Sequence, residues 1–160
     1  MIEGSDAQTV SRVHDQQRRL CDDLERLADS LAAPVSPQTL SQVARQLHST
    51  MASATAAGQV LFQCLTRSPS LSPLDDFGPT ARRLLREVEE DASYAEDLEE
   101  ILMTMAGGAH PACDEALGFM ARSLFLAIRR RIALEGELFD LARARGLQSP
   151  AAESLKTPTS

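Results

Sequence analysis

Residues 129–142, RRRIALEGELFDLA, carry a helical apolar stripe interrupted by charge where a core residue should sit. From Leu117 through Ala121, Leu124, Ile128, Arg131, Glu135, Leu138 and Ala142 the steps alternate between three and four, the spacing of one helix face. That stripe puts Arg131 and Glu135 on a buried seam. A second stripe, Phe125, Ile128, Ile132, Glu135 and Phe139, fits the same stretch and turns Arg131 outward. Arg131 therefore has two readings, whereas Glu135 lies on the seam in both. A seam does not carry charge without a reason, because an unpaired buried charge is costly.

Working outward, this stretch belongs to a helix expected from about Cys113 to Arg145, set off from the preceding one by GGAHPAC (107–113). A third helix is expected from Pro79 or Thr80 to Met105, burying Leu84, Val88, Ala95, Leu98, Leu102 and Met105. Before it, TRSPSLSPLDDFGP (66–79) holds three prolines and a glycine and reads as a loop. A second helix is capped by Ser36 with Pro37 in its first turn and runs to about Cys64 or Leu65. Its inward residues are Leu40, Val43, Leu47, Met51, Ala54, Gly58, Leu61 and Leu65. The first helix covers 7–32, with Val10, Val13, Gln17, Leu20, Leu24, Leu27 and Leu31 on its seam, and AAPVSP (32–37) ends it. No segment alternates with the period of a strand. The expectation is an all-α, antiparallel up-down-up-down four-helix bundle over residues 1–146, followed by a disordered tail, 147–160, rich in Ser, Pro, Ala and Thr.

Composition limits what such a bundle can do. With 160 residues, no Trp, one Tyr and five Phe, the chain has one core built mainly from aliphatic side chains. A formal net charge of −7 argues against nucleic acid and anionic membrane as partners. No apolar run approaches the roughly 20 residues that span a bilayer, and the N-terminus lacks the basic and apolar regions of a signal peptide, so a cytoplasmic location is expected. Cys21, Cys64 and Cys113 are scattered and form no C-x-x-C pair, which suits reduced thiols. Helix three is acidic, with Glu87, Glu89, Glu90, Asp91, Glu96, Asp97, Glu99 and Glu100, whereas helix four carries Arg122, Arg129, Arg130, Arg131, Arg143 and Arg145. Attraction between these two neighbours is expected, at about 0.2 to 1 kcal/mol for each exposed pair. There is no Gly-rich phosphate loop, nucleophile elbow or His-Glu-x-x-His pair, and no enzyme activity is expected.

Bundles often build a metal site from polar side chains that project inward on facing helices. Helix one offers His14, helix three Asp91, and helix four the i, i+4 pair Arg131 and Glu135. Helix two offers His48, followed by the small residues SATAAG (53–58).

In three places the chain resembles the hemerythrin-like (HHE cation-binding) family: VHDQQRRLCDDLERLADSL (13–31), REVEEDASYAEDLEEIL (86–102) and EALGFMARSLFLAIRRRIALEGELFDLARARGL (115–147). The resemblance spans residues 10–146 and implies an antiparallel bundle holding two bridged irons for binding or sensing dioxygen or related species. It matches the ligand histidine of the first helix to His14. The remaining ligands depart from the pattern: on helix two the family's His-x-x-x-Glu falls on Ser53 and Ala57, the helix-three histidine on Val88, and the helix-four His-x-x-x-Glu becomes Arg131-x-x-x-Glu135. His14, Glu135 and Asp91, with His48 as a displaced candidate, are too few for two irons. Arg131 would instead supply fixed positive charge among Asp91, Glu135 and His14, giving a polar core without metal.

Three functions follow. In the first, the bundle has lost most of its diiron ligands and acts as a regulatory or interaction protein, without cofactor, toward a protein partner or a second copy of the chain. The second keeps a weak or mononuclear iron site at His14, Asp91, Glu135 and His48 for oxygen or redox sensing. The third follows from ARQLHSTMASATAAG (44–58), which loosely resembles the helix of histidine phosphotransfer domains with His48 as acceptor, although Met51 and Ala52 stand where that helix carries lysine and glycine. Leu47 and Met51 flank His48 on the core side, whereas phosphotransfer needs it exposed.

Overall fold

The computed structural model describes residues 4–67 and 77–146, and these form four helices, α1 (Gly4–Ser30), α2 (Pro37–Arg67), α3 (Gly78–Ala106) and α4 (Asp114–Gly146). The expected loop at 66–79 lies mostly outside the described residues, as does the expected disordered tail at 147–160. Local chemistry sets the helix ends. Ser36 Oγ accepts the Thr39 amide at 3.2 Å as Pro37 opens α2. Pro79 occupies the first turn of α3, where its missing N–H leaves no bond unmade. That helix stops at Gly107, whose amide reaches the Met103 carbonyl at 3.1 Å, and Gly108 then takes the left-handed conformation at φ 94°. Helix α4 begins with Asp114 and Glu115 and ends with Arg143 and Arg145, each sign facing the complementary end of the helix dipole.

The helices follow one another around a square: α1 packs on α2 and α4, and α3 packs on α2 and α4. Neighbours are antiparallel. His14 meets Glu135, Cys21 meets Phe125 and Ala28 meets Arg122, so residue numbers on α4 fall as those on α1 rise. On the opposite side His48 pairs with Glu99, and Gly58 faces Val88. A Cβ at Gly58 would lie 3.0 Å from Val88 Cγ1, so the small strip on α2 lets α3 approach closely. No helix among the described residues is long and apolar enough to cross a membrane.

The seams expected for α1 and α2 are buried throughout. On α3 and α4 only the last seam residues, Met105 and Ala142, are partly exposed. Helix α4 buries both of its candidate stripes, because it turns a wide arc toward α1, α3 and the bundle centre. The stripe that sent Arg131 outward is thereby corrected: Phe125, Ile132 and Phe139 are buried, yet Arg131 is buried beside them at 1% exposure. Among the described residues the apolar core falls into two clusters. The larger includes Leu20, Leu24, Leu47, Leu98, Leu124 and Ile128; the smaller holds Leu61, Leu65, Ala81, Leu84, Leu138 and Phe139.

The expected attraction between α3 and α4 also needs correction. Two arginines of α4 turn to α1 instead, Arg129 reaching Asp22 at 3.0 Å and Glu25 at 2.8 Å, and Arg122 reaching Asp29 at 3.6 Å. On α3, Arg83 and Arg86 pair within their own helix with Glu87 and Glu90. The remaining acidic side chains Glu89, Glu96, Asp97 and Glu100 are exposed. The one ion pair recorded between α3 and α4 among the described residues is buried, Arg131 with Asp91.

Candidate functional site

Where the two apolar clusters meet, α1, α3 and α4 contribute a layer of polar side chains. Helical spacing puts His14 beside Val13 and Gln17 one turn on, Asp91 one turn after Val88, and Glu135 one turn after Arg131. His14, Gln17, Arg131 and Glu135 are buried. Asp91 is nearer the edge, with its side chain 13% exposed.

Arg131 is the hub. Its Nε donates to Asp91 Oδ2 at 2.8 Å, Nη1 to Glu135 Oε1 at 2.8 Å, and Nη2 to Gln17 Oε1 at 2.7 Å. One planar guanidinium thus ties α4 to α1 and α3, which face each other across the diagonal of the square. The second oxygen of Glu135, Oε2, lies 2.7 Å from His14 Nε2. An ionised carboxylate can only accept, so Nε2 carries the proton and donates it in this bond. Among the described residues α2 donates and accepts nothing in the layer; near this level it buries Ala54 and Ala57 and sets Gly58 against Val88.

Electrostatics separates the two carboxylates. Burial pushes Glu135 up, but the hydrogen bond from His14 and the charge and hydrogen bond of Arg131 together outweigh it and hold its pKa below the ordinary value. For Asp91 burial prevails over the Arg131 hydrogen bond and charge, with Glu87 and Glu135 adding repulsion, and the pKa is raised. Their contributions to stability therefore run in opposite directions. Glu135 stabilises the fold fully above its unfolded value, near 4.5, and loses that contribution as pH falls through its lower native value. Asp91 holds its proton more tightly when folded, so its contribution is present below its unfolded value, near 3.8, and fades as pH rises through its higher native value. The stability difference between wild type and Glu135→Gln should accordingly be large at neutral pH and shrink below about pH 4.5, as read from urea midpoints at several pH values. A difference independent of pH would contradict the assignment of an ionised Glu135.

The structure brings together four of the residues picked out from sequence, His14, Asp91, Arg131 and Glu135. It places His48 elsewhere. That side chain is 73% exposed on the outer side of α2, with Nδ1 3.3 Å from Glu99 Oε2. Leu47 and Met51 are buried as expected, but at position 48 the helix has turned outward, so His48 does not join the layer. Gln17 joins the layer as well, and its place on an otherwise apolar seam is the one sequence signal for it. Below the layer, Cys21 donates its thiol to the Phe125 carbonyl at 3.6 Å, and burial pushes its pKa up to about 11. It is an unreactive packing residue.

These donors do not fit a diiron centre. The positions that the sequence resemblance sets against metal ligands carry Ser53, Ala57 and a fully buried Val88, and the carboxylates accept from a cation already in the centre of the layer. No group of three or more His, Cys, Asp or Glu among the described residues is arranged to hold a metal ion. Comparison of the chain with protein-family models, curated proteins and solved structures gives no significant match.

Proposed function

We propose that this chain is a non-catalytic regulatory or interaction module, a hemerythrin-like bundle in which an arginine-centred polar layer stands in place of the diiron site. The observation that carries this reading is Arg131, whose three nitrogens satisfy acceptors on three helices at 2.7 to 2.8 Å. A guanidinium there neutralises carboxylates that a metal cation would otherwise balance, without ligand exchange or redox chemistry. The hemerythrin-like part of the reading rests on sequence resemblance. The experiment is elemental analysis of protein expressed with supplementary iron, together with its near-ultraviolet spectrum. Folded, helical protein without stoichiometric metal is the expected result. Bound iron with the absorption of an oxo-bridged diferric centre would overturn it in favour of an oxygen or redox sensor.

Exposure of His48 favours a second reading, phosphotransfer, because it meets the access that a phosphoryl acceptor needs. Against it stand Met51 and Ala52 in place of lysine and glycine. Its signature would be phosphoryl uptake that His48→Gln abolishes.

A further inference from the structure

Outward-facing positions of α1 and α3 are mostly charged or polar, whereas on α4 the exposed residues from Ala116 to Ala133 are apolar except for Arg122 and Arg130. Phe119 is 69% exposed and Leu126 59% exposed, and Ala133 is exposed at the next heptad position. Spaced by seven, the three form one stripe on the side of α4 turned away from Ile128 and Glu135. Two large apolar side chains on a solvent face mark an interaction surface more often than scattered exposure does. The rim of the stripe is basic. Arg122 has its side chain 51% exposed beside Asp29 of α1 at 3.6 Å, Arg130 is exposed and makes no ion pair among the described residues, and Ala116–Leu134 contains no acidic residue in a chain of net charge −7.

Resting on the interaction-module reading above, the geometry points to the outer face of α4 as a docking site for an acidic amphipathic helix of another protein. Such a helix lays apolar residues at heptad spacing against Phe119, Leu126 and Ala133 and presents Glu or Asp to Arg122 and Arg130. Charge selects this occupant over the alternatives. A second copy, packing α4 antiparallel on α4 about Leu126, would set Arg122 against Arg130 of the other copy and Phe119 against Ala133, so like charges would meet at both ends. The acidic face of α3 on a second copy offers Met103 as its one exposed large apolar side chain, too little to cover two anchors.

The test titrates the full chain with two fluorescent synthetic peptides, identical amphipathic helices with Leu at the heptad positions and either Glu or Lys on the flanks, read by anisotropy. The acidic peptide is expected to bind, and its Lys counterpart about tenfold more weakly or worse. Phe119→Ser, Leu126→Ser and Arg130→Glu should each weaken the acidic peptide by about tenfold while leaving the melting temperature of the bundle unchanged, since all three side chains are exposed. Absence of binding, equal binding of both peptides, or indifference to these variants would overturn the proposal. So would wild-type self-association, seen in sedimentation, that Phe119→Ser abolishes, or a preference for phosphatidylserine vesicles over the peptide. Iron content separates the two readings: iron-loaded protein that still selects the acidic peptide sinks the metal-free module and keeps the docking face.

Discussion

Arg131→Ala is expected to lose about 3 to 5 kcal/mol of folding stability, whereas Arg130→Ala, the preceding residue on the same helix, should change it by less than about 0.5 kcal/mol. The two differ in surroundings. Arg130 is exposed, and removing it strands nothing. Removing Arg131 deprives Gln17, Asp91 and Glu135 of their donor at once. Asp91, at the edge of the layer, can turn to solvent or take up a proton. Glu135, its side chain 5% exposed, keeps only His14. A buried acceptor left without its donor bears its full desolvation cost. Urea titrations followed by circular dichroism check the pair, and equal midpoints would refute the role given to Arg131.

The second large effect has the opposite sign. Replacing the whole layer by apolar side chains, with Arg131→Met, Glu135→Leu, Asp91→Ala, Gln17→Leu and His14→Leu together, should recover most of the roughly 3 to 5 kcal/mol that Arg131→Ala loses. Buried ion pairs repay little more than their desolvation, so their removal as a set is far less costly than their disruption one at a time. Apolar clusters already lie on both sides of the layer, ready to merge into one core. The same urea titration decides it. A fivefold variant no more stable than Arg131→Ala would mean that shape, and not charge balance, holds this level of the bundle together.

Much of this architecture could be read from the residues alone, for a physical reason. The helix faces repeat at three and four, and the breaks fall at Pro and Gly, so helix boundaries and seams follow from local rules. Orientation on α4 did not follow. Its two stripes overlap because it buries a wide arc, and only the acceptors on α1 and α3 show that Arg131 points in. Charge put α3 beside α4 but did not locate the ion pairs: a count of acidic residues on α3 carries no angular information, and most of them project into water. The acidic residues that matter to α4 are Asp22, Glu25 and Asp29 on α1, less numerous but correctly placed. Gln17 has no legible role in the sequence, because a lone amide on a seam has no chemistry until its partner is known. The orientation of His48 is not legible in the sequence, because two buried neighbours at one step behind and three ahead still leave room for it to face outward.

The polar layer has one more consequence, for the longitudinal register of the helices. Seams of Leu, Val and Ala with few aromatic side chains are nearly self-similar under a shift of one heptad, and apolar contacts alone resist such sliding weakly. Arg131 breaks that degeneracy. Moved by seven residues along α4, the guanidinium would take the level of Leu124 or Leu138, among side chains that offer no acceptor, while Asp91 and Gln17 would face carbon. Three of the four helices are thus keyed at one height by hydrogen bonds. Helix α2, which adds nothing to the layer, is keyed instead by the hollow at Gly58 that receives Val88.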